Sequence, residues 1–216
     1  MNINQQISNI KTEISDKADL IAVSKTRTIE EIQEAYNSGQ IKFGENRVQE
    51  IVNKQSRLPD DIEWHMIGHL QKNKVKYIAR FISLIHSLDR ISLAKEIDKQ
   101  AKKEGRIIDC LIQIKISKED SKFGLKIEDF ECFYKSLKTY KNLNIIGLMG
   151  MATFTNNTEI IDEEFKMIKS IYDDIASIDS KFKVLSIGMS DDYNIALKNG
   201  SNMIRVGSKI FGKRNY

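Results

Sequence analysis

Eight short apolar runs, each followed by a segment of helical period, organise this sequence. The runs lie at residues 20–24, 41–43, 64–67, 81–86, 107–114, 145–149, 184–187 and 203–206. Most are rich in Ile, Val and Leu, the composition of strands buried on both faces. Between them, helical spacing predicts helices near 29–38, 46–56, 72–79, 90–104, 127–140, 159–178 and 191–199, with a short one after 207. Parallel strands need crossovers, and such crossovers are right-handed, so this alternation admits a closed barrel or a doubly wound open sheet. The even spacing favours the barrel. At 216 residues the chain sits near the lower end of the size range of α/β folds of the (β/α)8 TIM barrel type. One domain over residues 1–216 is expected. Ile3, Ile7, Ile10 and Ile14 add one apolar stripe on an extra N-terminal helix over 2–16. Gly39, Gly105 and Gly200 fall just past three predicted helices, where a left-handed residue is wanted.

The charge balance is mild. The 34 Lys and Arg residues are dispersed among 30 acidic ones, for a net charge of +4, and aromatics do not interleave with basic clusters. No nucleic-acid footprint results. Cys110 and Cys132 have no CxxC spacing, so neither a disulfide framework nor a metal site is expected, and a reducing cytoplasmic setting fits. There is no signal segment and no run long enough to span a bilayer. His65 and His69 have the i, i+4 spacing of a helical zinc pair, but Gly68 interrupts any helix there, so no metal is expected. His86 reads as an isolated packed or surface residue. The lysines at 72, 74 and 76 read as a solvated helix start, or else as a contact for an anionic partner.

Chemistry on such barrels gathers at the C-terminal strand ends. The first run ends in Lys25, and Thr28 with Glu31 can form a capping box that opens the next helix. Lys25 either points to solvent or is desolvated, and a desolvated amine attacks aldehydes. Gly44-Glu45-Asn46 follows the second run. Gly188, Ser190, Gly207 and Ser208 follow the last two, where barrels often build phosphate sites from backbone N–H groups and hydroxyls. Ordinary helix capping by Ser190 or Asp191 is the other reading. Asp191 and Asp192 would repel a phosphate and are expected to face away. Arg205, inside an apolar strand, must be paired, with a carboxylate such as Glu45 or with a ligand acceptor.

The residues that carry these features resemble, jointly and in order, the pyridoxal phosphate homeostasis protein family. The resemblance runs from about residue 20 to Tyr216. It rests on Ala22-Val23-Ser24-Lys25-Thr26, on Phe43-Gly44-Glu45-Asn46 with Gln49-Glu50, and on His65 through Lys74. It continues in Ser121-Lys122 and Gly124, Gly147-Leu148-Met149, Leu185 through Asp192, Arg205-Val206-Gly207 and Ile210-Phe211-Gly212. It implies the barrel of the alanine racemase N-terminal domain type and the cofactor pyridoxal 5′-phosphate (PLP). It further implies Lys25 as the Schiff-base lysine and Arg205 facing the pyridine nitrogen. Ser190, Gly207 and Ser208, with the Met189 backbone, would hold the phosphate, and Asn46 would lie beside the cofactor. The chain departs from the family's usual pattern at Thr28 and at Met151 through Phe154, where prolines are common. It departs again at Lys115, where asparagine is common.

Two functions compete on this reading. One is a PLP-binding homeostasis protein or carrier without turnover. The other is a small fold-type III PLP enzyme such as an amino-acid racemase. The carrier is favoured because enzymes on this barrel carry a further β-domain, whereas this chain stops four residues after Gly212. It is favoured too because an arginine at the ring nitrogen donates a hydrogen bond but no proton. A cofactor-free aldolase-like barrel is a weaker alternative. The expected state is monomeric, with apo-PLP enzymes as recipients of the cofactor. Lys115, Lys118 and Lys122 could guide the phosphate outward or hold a second PLP.

Overall fold

Each apolar run becomes one strand of a single closed sheet. The structure, a computed structural model, describes residues 2–117, 119 and 123–212. Its strands are β1 (Asp19–Val23), β2 (Lys42–Glu45), β3 (Glu63–Met66), β4 (Leu84–Leu88), β5 (Ile108–Ile114), β6 (Leu143–Gly150), β7 (Val184–Ser186) and β8 (Met203–Val206). They follow one another in chain order around the barrel, and β8 closes it against β1 in parallel register. Its helices are α1 (Ile3–Ile14), α2 (Ile29–Asn37), α3 (Val48–Gln55), α4 (Ile91–Lys103), α5 (Phe130–Leu137), α6 (Thr158–Ala176), α7 (Tyr193–Lys198) and α8 (Ser208–Phe211). The expected barrel with an extra N-terminal helix is what the chain forms. Among the described residues no helix is long and apolar enough to cross a membrane.

Strand alternation divides the apolar residues into two layers. Ile21, Leu84, Leu111, Ile146, Met149, Val184 and Met203 fill the barrel interior. Leu20, Ala22, Ile85, Cys110, Ile112, Leu148, Leu185, Ile204 and Val206 face the helices in the main core. Each fully buried large side chain contributes about 1.5–3 kcal/mol. The isoleucine stripe of α1 is spent on this chain's own core: Ile3, Ile7, Ile10 and Ile14 are only 5%, 1%, 3% and 2% exposed. Thr28 and Glu31 complete the expected capping box at the start of α2. Gly39, Gly105 and Gly200 all take positive φ.

Two elements differ from expectation. Residues 72–77 form a 3-10 segment rather than an α-helix. Lysines at 72 and 76 repel at i, i+4, and no side chain caps the start. The fourth strand begins at Leu84, not at 81. Phe81 and Ile82 instead close turns onto Ile78, and Arg106 donates to the carbonyls of Ala79 and Ile82 at 2.7 and 2.9 Å.

The barrel closes tightly at Gly147. The pairing of β5 with β6 shifts register between Cys110 and Leu111, so Ile146 is an extra residue and both it and Met149 point inward. At Gly147 the backbone approaches β7 so closely that a Cβ would lie 1.7 Å from the Val184 carbonyl oxygen. No side chain can yield there, because the obstacle is backbone. Gly147→Ala is therefore expected to destabilise by about 3 kcal/mol or to abolish folding, measured as the shift in the urea unfolding midpoint.

Candidate cofactor-binding site

Lys25 leaves β1 at the C-terminal mouth of the barrel. The Ser24 amide donates to the Gly44 carbonyl at 3.0 Å and so extends the β1–β2 ladder by one residue. Alternation then places Ile21, Val23 and Lys25 on the axis side. Ile21 is fully buried and Lys25 half-buried. Ser24 faces the opposite way, into an ion cluster under α3. Lys54 Nζ bonds Glu45 Oε1 at 2.7 Å, the Ser24 carbonyl at 2.8 Å and Glu50 Oε2 at 3.1 Å. Ser24 Oγ donates to Glu45 Oε1 at 2.7 Å. Burial pushes the Glu45 carboxyl up against the pull of Lys54. Burial acts on Glu50 too, but the Thr26 amide and Lys54 hold its carboxyl below the usual range. Thr26 itself has φ +65°, a left-handed conformation that costs a non-glycine residue about 1–3 kcal/mol.

A hydrogen-bond chain crosses the barrel interior. Arg205 Nη1 donates to Ser186 Oγ at 2.6 Å and to the Ser186 carbonyl at 2.8 Å, and Nη2 donates to the Gly150 carbonyl at 2.9 Å. Ser186 Oγ lies 3.3 Å from His86 Nδ1, and His86 Nε2 lies 3.0 Å from His65 Nδ1. A guanidinium has donors only, so Ser186 Oγ accepts from it. Along the rest of the chain the direction follows the histidine tautomers, since the hydroxyl can either donate to His86 Nδ1 or accept from it. Burial lowers His65 to about 3 and His86 well below its ordinary value, so both rings are neutral. Burial also brings Arg205 down to about 10, so it keeps its charge at neutral pH. Its three bonds use at most three of five N–H groups, so among the described residues at least two remain available to an acceptor.

The loops after β7 and β8 close over the same end. Gly188 has φ +94°, and a Cβ there would lie 2.6 Å from the Ala196 side chain, so glycine lets α7 pack close. The Gly207 amide donates to Ser190 Oγ at 3.2 Å, which leaves the Ser190 hydroxyl proton to point elsewhere. Gly207 rests on the end of β1, where a Cβ would lie 3.3 Å from that of Val23. That contact brings the start of α8, with the exposed Ser208, beside the β1 end that carries Lys25. Asn46, half-buried, lies past β2 with its backbone packed against Gly68.

Comparison with known proteins places this arrangement. The family model of the alanine racemase N-terminal domain matches residues 1–215. The pyridoxal phosphate homeostasis protein of Aquifex aeolicus is 38% identical over 201 residues, covering 92% of this chain and 88% of the relative. This chain belongs to the pyridoxal phosphate homeostasis protein family. Two solved structures of PipY, the Synechococcus elongatus family member, superpose over 97% of this chain and 100% of theirs. The form without PLP has a TM-score of 0.91 at 32% identity, and the form with PLP bound has 0.88 at 31%.

Within this homeostasis-family barrel, Lys25, Asn46, Ser190, Arg205, Gly207 and Ser208 follow or end strands at the same, C-terminal end. Four expectations need correction. Arg205 pairs with carbonyls and a serine, not with Glu45, because Glu45 follows the inward Gly44 and so faces α3. His86 is packed but not isolated: its inward position on β4 brings its ring 5.2 Å from that of His65 on β3, tilted by 48°. The Met189 backbone is not free to hold a phosphate: Asp192, 8% exposed, accepts the Met189 amide, which removes that N–H from the expected phosphate donors. Asp191 is exposed. The solvated helix start expected at residues 72–76 is 3-10. Lys118, Ser121 and Lys122 lie outside the described residues, so the second PLP site expected around them and Lys115 has no structural account. Glu50 and Ser186 stand in the sequence only as parts of longer motifs with no role assigned, and Lys54 in none, although Glu50 and Lys54 have the i, i+4 spacing of a helical ion pair.

The neutral histidine pair sets a pH dependence. Below about pH 6.5 an unfolded chain takes a proton on each histidine, whereas folded His65 resists protonation to about pH 3. The unfolded state then binds more protons, so stability falls as pH drops. The expected slope is about 1.4 kcal/mol per pH unit for each buried histidine, less the opposing contribution of Glu45. Urea midpoints followed from neutral to acid pH check it. His65 and His86 ring resonances should stay constant over that range.

Proposed function

We propose that this chain binds PLP at the barrel mouth, holds it as a Schiff base on Lys25, and serves PLP homeostasis as a carrier rather than an enzyme. The observation that carries the reading is Arg205: a desolvated guanidinium with N–H groups to spare, on the axis, at the end where Lys25 and two serines meet. The donor set suits the cofactor. Arg205 fits a ring-nitrogen acceptor, Lys25 an aldehyde, and Ser190 and Ser208 with the start of α8 a phosphate. Asn46 and the backbones of Met189 and Gly207 line the remaining edge. When bound, PLP supplies the carbonyl that a lysine amine can capture.

The same arginine argues against turnover. It holds a ring nitrogen by donation and cannot hand over a proton, so the cofactor stays a weak electron sink. The relatives named as homeostasis proteins, and PipY solved with PLP, support the carrier reading by family. We place the protein in the cytoplasm, as a single-domain monomer, with apo-PLP enzymes as recipients of the cofactor.

Borohydride reduction of the PLP-loaded protein, followed by peptide mapping, should label Lys25, and Lys25→Ala should lose the label. A label confined to other lysines would sink the assignment. Ser190→Ala with Ser208→Ala should weaken PLP binding at least about tenfold, since each hydrogen bond to a dianion contributes about 1.5–3 kcal/mol. Pyridoxal, which lacks the phosphate, should be indifferent to that pair of changes. Steady turnover of any amino acid that disappears in Lys25→Ala would favour the enzyme reading.

A further inference from the structure

We propose that Glu50 is a positioning residue for Lys25: from α3 its carboxylate fixes the peptide that follows the lysine and so aims the amine along the barrel axis. The inference rests on the reading of Lys25 as the Schiff-base residue.

Lys25 is bracketed along the chain by two anchors. Before it, Ser24 is gripped at every polar group. Its amide donates to the Gly44 carbonyl, its hydroxyl donates to Glu45 and its carbonyl accepts from Lys54 at 2.8 Å. After it, the Thr26 amide donates to Glu50 Oε2 at 2.8 Å. The first anchor is redundant and fully buried. The second has two parts around a residue with φ +65°: that bond, and a turn in which the Arg27 amide donates to the Ser24 carbonyl at 3.0 Å. With the bond to Glu50 gone the turn alone holds the positive φ against its strain, so the peptide joining Thr26 to Lys25 is held less firmly and the lysine is aimed less well along the axis.

The construction of the cluster fits this role better than a purely stabilising one. Lys54 keeps Glu45 as its buried partner whatever occupies position 50. Glu50 is the exposed member of the cluster, at 23% of its side chain, against 7% for Lys54 and 0% for Glu45. Its removal therefore strands no buried charge. What it loses is the directional bond to the Thr26 amide.

The test uses the full-length protein and two ligands. PLP reports both docking and Schiff-base formation. Pyridoxine 5′-phosphate, which has no aldehyde, reports docking alone. Glu50→Leu, which removes the acceptor, should slow Schiff-base formation, followed by absorbance after rapid mixing, at least tenfold. It should bind pyridoxine 5′-phosphate within twofold of the parent protein. Thr26→Gly in the Glu50→Leu protein should recover at least threefold of the lost rate, because glycine accepts positive φ without strain. A parent-like rate in Glu50→Leu overturns the proposal. So does a matching loss for both ligands, which marks a merely structural role, and so does a double variant no faster than Glu50→Leu. Lys25→Ala is the separate control. If it still gives the parent's reducible adduct, the reading of Lys25 fails, whatever position 50 does.

Discussion

A guanidinium enclosed by a closed sheet has no water to fall back on, and the interior of this barrel is arranged around that fact. Arg205 is 4% exposed, and leaving such a charge unpaired costs several kcal/mol. The Gly150 and Ser186 carbonyls meet part of the demand at the ends of β6 and β7. Ser186 Oγ meets more, and the chain of contacts continues to His86 and His65. Both rings are neutral, and their tautomers must agree for the chain of bonds to close. The barrel thus holds a fixed positive charge in its interior, and that charge can only donate.

Outside the sheet the same problem is solved differently. Glu45 and Lys54 form an ion pair between β2 and α3, with Glu45 fully buried. Such pairs roughly break even against apolar packing, because desolvation offsets the Coulombic gain. What this one adds is geometry. Lys54 and Glu45 together hold Ser24, and Glu50 holds Thr26. A strand end that would otherwise fray is held on either side of the lysine whose direction matters. The mouth residues therefore work as one unit: a donor below, an amine at the rim, and hydroxyls at the start of α8.

Much of this architecture can be read along the chain, and the exceptions have two causes. The eight strands follow from runs of Ile, Val and Leu, and the caps follow from Thr28, Gly39, Gly105 and Gly200. The helix expected at 72–79 fails locally, through lysine repulsion and the lack of a cap. The other misreadings concern partners. Arg205 with Ser186, His86 with His65, and Asp192 with Met189 are contacts between strands or within a folded loop. No spacing rule within one segment reports them.

The amino-acid order alone sets the succession of strands and helices, favours their closure into a parallel barrel, and puts Lys25, Asn46, Ser190, Gly207 and Ser208 after strand ends on one side. Those features depend on periodicity and handedness, which are local properties repeated along the chain. Only the tertiary structure decided which side chain satisfies which buried charge. Strand alternation separates Gly44 from Glu45 onto opposite faces of the sheet, so Glu45 serves Lys54 and leaves Arg205 to carbonyls and Ser186. Whether two inward residues on different strands touch is set by register and shear around the closed barrel. These are global quantities that no single segment contains.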